Sequence, residues 1–160
     1  MLFFSYKFQT GTNNELVSNV IPTDPYDGYS HLYLGNMGYV ATDIQELRFY
    51  CDSAGHDRII HFKTSNTNTK AMAITGSQAG NIKDNWNAGY TTFPDHTANL
   101  PATANAAYGT STTLAFSEFP FYTISTYHWS VRGLGYRWEC DDGNNDAYNT
   151  RHAIWVRMVS

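Results

Sequence analysis

Two stretches of the chain, nearly ninety positions apart, follow one pattern. The first reads Arg48-Phe49-Tyr50-Cys51-Asp52, with a second acid at Asp57; the other reads Arg137-Trp138-Glu139-Cys140-Asp141, with its second acid at Asp146. Arginine, an aromatic, cysteine and aspartate keep their order, and the spacing from cysteine to second aspartate is the same. Each copy then passes through small and polar residues and returns as an Arg-led apolar run, Arg58-Ile59-Ile60-His61-Phe62 and Arg151-His152-Ala153-Ile154-Trp155-Val156. A strand, a turn and a return strand satisfy this pattern, so it predicts two equivalent hairpins. Arg48 with Asp52 or Asp57, and Arg137 with Asp141 or Asp146, are candidates for pinning the turns by charge-assisted hydrogen bonds. Cys51 and Cys140 are the chain's only cysteines. Hairpin ends set side by side would bring them into disulfide reach; two separate buried thiols fit the sequence equally well.

The period along the rest of the chain is two. Leu2, Phe4, Tyr6 and Phe8 alternate with Phe3, Ser5, Lys7 and Gln9, which reads as an opening strand. Gln45, Leu47, Phe49 and Cys51 fall on one face, opposite Glu46, Arg48 and Tyr50. His31–Leu34, Thr113–Phe119, Phe121–Val131, Tyr136–Cys140 and His152–Met158 read as further strands, and Ala71–Ile74 is a short apolar run. Apolar residues nowhere recur at three and four over a dozen positions, so no long helix is expected, only a turn of helix near Asn14–Val20. Many short strands with regular turn signals predict an all-β antiparallel sandwich, jelly-roll-like, in one domain spanning 1–160. From Gly76 to Ser111 the regularity fails: a long irregular loop of small and polar residues carries isolated aromatics at Trp86, Tyr90, Phe93 and Tyr108. Loops of this length are commonly functional or packed against a neighbour.

Composition narrows the function classes. Charged residues are 15% and aromatics 16% of the chain, and the net charge is −4. That profile, with abundant Tyr, Thr, Asn and Gly, suits a β module of the extracellular kind and gives no basic patch for nucleic acid. No apolar run is long enough for a membrane-spanning helix. Met1–Gln9 is too short and too alternating for a signal peptide, so the chain is expected to be a mature fragment or to travel by another route.

The residues that could carry chemistry are few. A catalytic cysteine is not expected, since neither cysteine sits in a nucleophile motif, and no Gly-x-Ser-x-Gly is present. The six histidines lack the His-x-His spacing that puts two rings on one strand face, so no transition-metal site is expected. The turn Asp141-Asp142-Gly143-Asn144-Asn145-Asp146 offers oxygens suited to Ca2+ but not at EF-hand spacing, and ordinary connectors have the same composition. No cofactor is predicted, with Ca2+ the one ion this turn would take. The central loop offers more. Trp86, Asn87 and Tyr90, followed by Asp95 and His96, place an indole and a phenol among amide and carboxylate groups, which is how a loop stacks on a sugar ring and hydrogen-bonds its hydroxyls. The alternative is that Trp86 plugs the loop into the core or an oligomer contact. Trp129, Trp138 and Trp155 lie in strands and are expected in the core or an interface.

Taken together, the short all-β head, low charge, many Tyr, Asn and Thr, aromatic-dotted loop and closing strand Arg151–Met158 resemble the receptor-binding tips of phage tail fibres and trimeric bacterial adhesins. The resemblance is one of style across the chain and carries no diagnostic motif. It implies a homotrimer on a cell or virion surface, the C-terminal head of a longer fibrous protein, whose loops bind a surface glycan or protein receptor without catalysis. The expected contact residues are Trp86, Asn87, Tyr90, Asp95 and His96, with Asp141, Asp142, Asn144 and Asp146 as a secondary loop. A polysaccharide-active enzyme or its carbohydrate-binding module, and a purely structural jelly-roll subunit, are the competing readings.

Overall fold

The computed structural model describes residues 1–9, 15–77, 86, 89–107, 115–133, 137–143 and 149–160. The chain folds as an all-β protein of two antiparallel sheets. Its strands are β1 (Leu2–Lys7), β2 (Tyr29–His31), β3 (Ile44–Asp52), β4 (Ile60–Thr64), β5 (Tyr90–Thr92), β6 (Glu118–Thr123), β7 (Tyr127–Gly133), β8 (Arg137–Asp142) and β9 (Arg151–Met158). Six form one sheet in the order β2-β1-β9-β3-β4-β5, and three form the other in the order β6-β7-β8. The inner faces meet in an aromatic core. Phe49 and Phe62 of the large sheet stack at 5.0 Å between ring centroids, and Phe121 and Trp129 of the small sheet pack edge-on against Phe49 at 5.9 and 5.6 Å. Edge-to-face geometry sets the positive rim of one ring against the negative face of another, which favours such clusters beyond simple area burial.

The alternation along β3 holds. Leu47, Phe49 and Cys51 are buried while Arg48 and Tyr50 face outward. An irregularity between Ile44 and Glu46 slips the phase, so Ile44 turns inward and Gln45 is exposed. One element goes beyond the expectation: the run Ala71–Ile74 belongs to a helix, α1 (Thr67–Thr75). Its punctuation is local. The Asn66 side chain accepts from the Thr69 N–H at 3.0 Å, and Gly76 closes it at φ 72°, where its bare Cα lies against the Tyr33 ring. Leu34–Met37, at the end of the run read as a strand, forms a 3-10 turn, and 15–20 contains no helix.

The twin pattern is resolved differently from two equivalent hairpins. The first copy is a hairpin, β3 pairing with β4 through Cys51 opposite Ile60. The second is not: β8 pairs with β7 in the small sheet, while β9 crosses over and inserts between β1 and β3 in the large one. The two copies are joined crosswise. Cys51 and Cys140 form a disulfide between the sheets, with their Cα atoms 5.9 Å apart. Arg58, which leads the first return strand, donates from Nε to Asp141 of the second copy at 2.7 Å. Arg151, which leads the second, donates from Nε and Nη2 to Asp52 of the first, each at 2.7 Å. Among the described residues, which do not include Asp146, the turn-pinning pairs within each copy are therefore replaced by pairs between copies. Arg137 bonds Glu139 on its own strand, and Arg48 bonds no carboxylate.

Candidate functional site

The outer face of the large sheet carries a groove between two loops. Its floor comes from strand register: Arg48 lies opposite Trp155 and Lys63, Tyr50 opposite Ala153 and His61, and Asp52 opposite Arg151. The small Ala153 side chain keeps the middle of the floor low. One wall is the turn 24–28, pressed onto β1. Asp24 Oδ1 accepts the backbone N–H groups of Tyr26 and Asp27 at 2.7 and 3.1 Å, and Ser5 Oγ donates to Asp24 O at 2.7 Å. The approach requires glycine at 28, since a Cβ there would meet Ser5 Oγ at 2.2 Å. This turn projects Tyr26, 64% exposed, over the groove.

The second wall is the segment after β5. Phe93 N–H bonds His61 O at 3.0 Å, the His61 N–H donates to His96 Nδ1 at 3.0 Å, and the Thr97 and Ala98 N–H groups reach Ile59 O. Asp141 clamps the far end of this segment. Its buried carboxylate accepts from Asn99 N–H, Asn99 Nδ2 and Leu100 N–H at 2.9–3.0 Å besides Arg58. The walls enclose a recess of about 330 Å³ lined by Pro25, Tyr26, Arg48, Tyr50, His61, Asp95, Arg151 and Trp155. It shares Tyr26 and Arg151 with a second recess of about 420 Å³ running toward Lys7, Ser53 and Asn149, so the two form one elongated depression.

Within it, His61 links the wall to the floor. Its Nδ1 lies 2.6 Å from Asp95 Oδ1, and Arg48 Nε donates to its Nε2 at 2.7 Å. With Nε2 accepting, the ring carries its proton on Nδ1 and donates to Asp95, so it is neutral. Burial pushes the His61 pKa down and the Arg48 charge adds to this, against the opposing pull of Asp95. Asp95 itself is held below the ordinary carboxylate range: what burial it has works the other way, but the hydrogen bond from His61 and its own backbone amide outweigh it. Phe93 stacks on His61 at 4.1 Å. The Arg48 guanidinium lies over the rings of Trp155 at 4.7 Å and Phe93 at 5.1 Å, and that of Arg151 over Tyr26 at 4.7 Å and Tyr50 at 5.4 Å. Tyr50 donates to Asp52 at 3.0 Å, and burial followed by the Asp52 charge raises its pKa. The groove is thus built from fixed aromatic faces, guanidinium groups and a carboxylate. The Asp–His pair has no hydroxyl or thiol hydrogen-bonded to it among the described residues, and its Nε2 lone pair is taken by Arg48.

The residues expected to bind are distributed unevenly around this groove. Asp95 lines it and His96 braces its wall. Tyr90 sits at the β5 edge, half-buried against Phe62, beside a separate recess with Glu46 and Lys63. Trp86 is corrected from a loop platform to a core plug. It is 1% exposed, packs on Phe121 at 4.5 Å, and donates from Nε1 to Pro120 O at 3.1 Å, so no face is left for a ligand. Asp141 is likewise corrected: both of its oxygens accept from protein donors, which makes it a clamp rather than a contact residue or a calcium ligand. Asp142 is nearly buried, 3.5 Å from His56 Nε2. Asn87, Asn144 and Asp146 lie outside the described residues. Among the described residues no group of three His, Cys, Asp or Glu side chains is placed to hold a metal ion.

The residues the sequence reading missed are Trp155, Arg48, Tyr50, Tyr26, His61 and Arg151. A signal was present in β9. His152, Ile154 and Val156 are its buried phase, so Trp155 falls on the outward phase with Arg151 and Arg157. An indole on the polar side of an alternating strand marks a surface that something can cover. The fold and site together define an all-β two-sheet protein with a sheet-face groove. No protein-family model matches the chain, and no curated protein or solved structure gives a significant match to it.

Proposed function

We propose that this protein is a non-enzymatic recognition domain that binds a cell-surface glycan along the outer-sheet groove. The observation that carries the reading is the elongated depression lined by Tyr26, Tyr50 and Trp155 with guanidinium and carboxylate groups fixed between them. Aromatic faces suit the C–H patches of sugar rings, and ordered polar groups suit hydroxyls. These groups are held in place by the fold itself, so little side-chain entropy is lost on binding. The inter-sheet disulfide supports an extracellular or virion-surface location, since such bonds persist in oxidising compartments. The style of the sequence supports placing the domain at the tip of a homotrimeric fibre.

The direct test is glycan-array binding of the wild type and Trp155→Ala. Trp155 is half-buried on the outer face and outside the core cluster, so the variant folds. Loss of array binding in a folded Trp155→Ala supports the reading. Retention of full binding moves the site elsewhere, and release of reducing ends from a polysaccharide overturns the non-enzymatic reading in favour of a glycan-degrading enzyme.

A further inference from the structure

We propose that the saccharide taken by the groove is acidic, and that Arg48 reads its carboxylate. This deepens the glycan reading and rests on it. Of the arginines whose side chains the structure describes, Arg48 alone makes no direct ion pair with a carboxylate; it reaches Asp95 only through space, adding to the contacts that hold that carboxyl low. Arg58 pairs with Asp141, Arg137 with Glu139, Arg151 with Asp52 and Arg157 with Glu46. Arg48 is nonetheless held still. Its Nε–H is fixed by a neutral histidine, and its Cζ lies over the Trp155 and Phe93 rings. The Nη groups make no hydrogen bond among the described residues. Asp95, the one carboxylate lining this recess, is tied to His61 instead. The result is an oriented guanidinium edge with its charge unanswered by direct contact, beside an indole whose Nε1–H is also without a protein acceptor among the described residues. Such a planar fork matches a carboxylate bidentately. The adjoining aromatic surface favours a sugar ring bearing that carboxylate, a hexuronic or similar acidic unit, over a bare anion.

The test is an array of hexuronate- and sialate-bearing oligosaccharides, each printed beside its carboxyl-reduced counterpart and a sulfated neutral one. At low salt the acidic member is expected to bind at least about tenfold more tightly than the reduced one, the size of one charge-assisted bidentate contact. Arg48→Gln is expected to erase that preference while keeping the weaker binding of reduced sugars; Arg157→Gln, outside the recess, keeps the preference. Arg48 is exposed, so the variant's melting temperature stays close to wild type and reports that it is folded. Equal binding of acidic and reduced members, or a preference confined to sulfated ones, overturns the carboxylate inference and leaves the glycan reading standing. Absence of binding to every glycan overturns both.

Discussion

At the scale of single residues, His152 shows how the core limits the conditions under which this fold is stable. It is fully buried on the inner phase of β9, donates from Nε2 to Glu139 O at 2.8 Å, and its Nδ1 has no partner among the described residues. A second proton would sit on Nδ1 with nothing to accept it, and burial lowers the His152 pKa to about 4. The unfolded chain therefore binds a proton near pH 6.5 that the folded chain refuses. Stability from this group is lost as pH falls from about 6.5 toward 4, by roughly 3 kcal/mol at the limit. Asp142 acts in the opposite sense. Burial, then repulsion from Glu139, raises its pKa to about 7, so the fold retains a proton that the unfolded chain gives up, and stability is lost as pH rises from about 4 to 7. Urea midpoints across pH 4–8 separate the two. Relative to wild type, His152→Gln should gain ground toward pH 4 and Asp142→Asn toward pH 8; the reverse order would refute these assignments. Trp86→Ala belongs to a different category. It should cost about 3–5 kcal/mol as a core deletion, measured by denaturation, so any binding it loses reports folding and not the groove.

At the scale of elements, the repeated pattern was legible in the sequence as strand, cysteine, turn and Arg-led return, and that much is what β3, β4, β8 and β9 are. Its partners were not legible. A sequence period states which side chains share a face but says nothing about which sheet a strand joins, and β8 and β9 join different ones. Helix α1 was missed because only nine residues carry it and its signals are the Asn66 and Gly76 caps rather than an apolar stripe. The crosswise links can be graded by burial. Asp141 is 0% exposed at its side chain and Asp52 28%. Arg58→Ala removes the cation from a buried carboxylate that keeps its amide donors and should cost about 2–4 kcal/mol, whereas Arg151→Ala breaks a partly solvated pair and should cost at most about 1 kcal/mol. Comparable losses for the two in urea denaturation would refute this ranking. Arg58→Ala should also weaken glycan binding, because Asp141 positions the segment that carries Asp95. The disulfide closes a loop between residues 89 positions apart, so replacing both cysteines with alanine should lower stability by about 4–5 kcal/mol on the chain-entropy estimate. An unchanged denaturation midpoint in the double variant would show that the aromatic core and the ion pairs hold the sheets without the disulfide.

At the scale of the whole molecule, the groove lies on one outer face while apolar side chains cluster elsewhere. Val17, Val20 and Ile21 are 40%, 49% and 42% exposed, in the segment that pairs with the end strand β2 of the large sheet, its Val17 O and Val20 N–H bonded to the backbone of His31. Scattered apolar residues are ordinary on a surface, but three exposed ones within five positions favour a protein contact. A fibre tip would use that patch between subunits and leave the sheet-face groove open on each. Sedimentation should then give a mass near three times the 18.0 kDa of one chain. Val20→Asp combined with Ile21→Asp should shift the species to one chain, with the groove intact and glycan binding reduced to its single-site strength, because three linked sites on one receptor surface raise apparent affinity without any new contact. A wild-type protein that sediments as a single chain at tens of micromolar would remove the trimeric fibre-tip proposal. The groove would then have to act alone, and the test of its sugar preference would be unaffected.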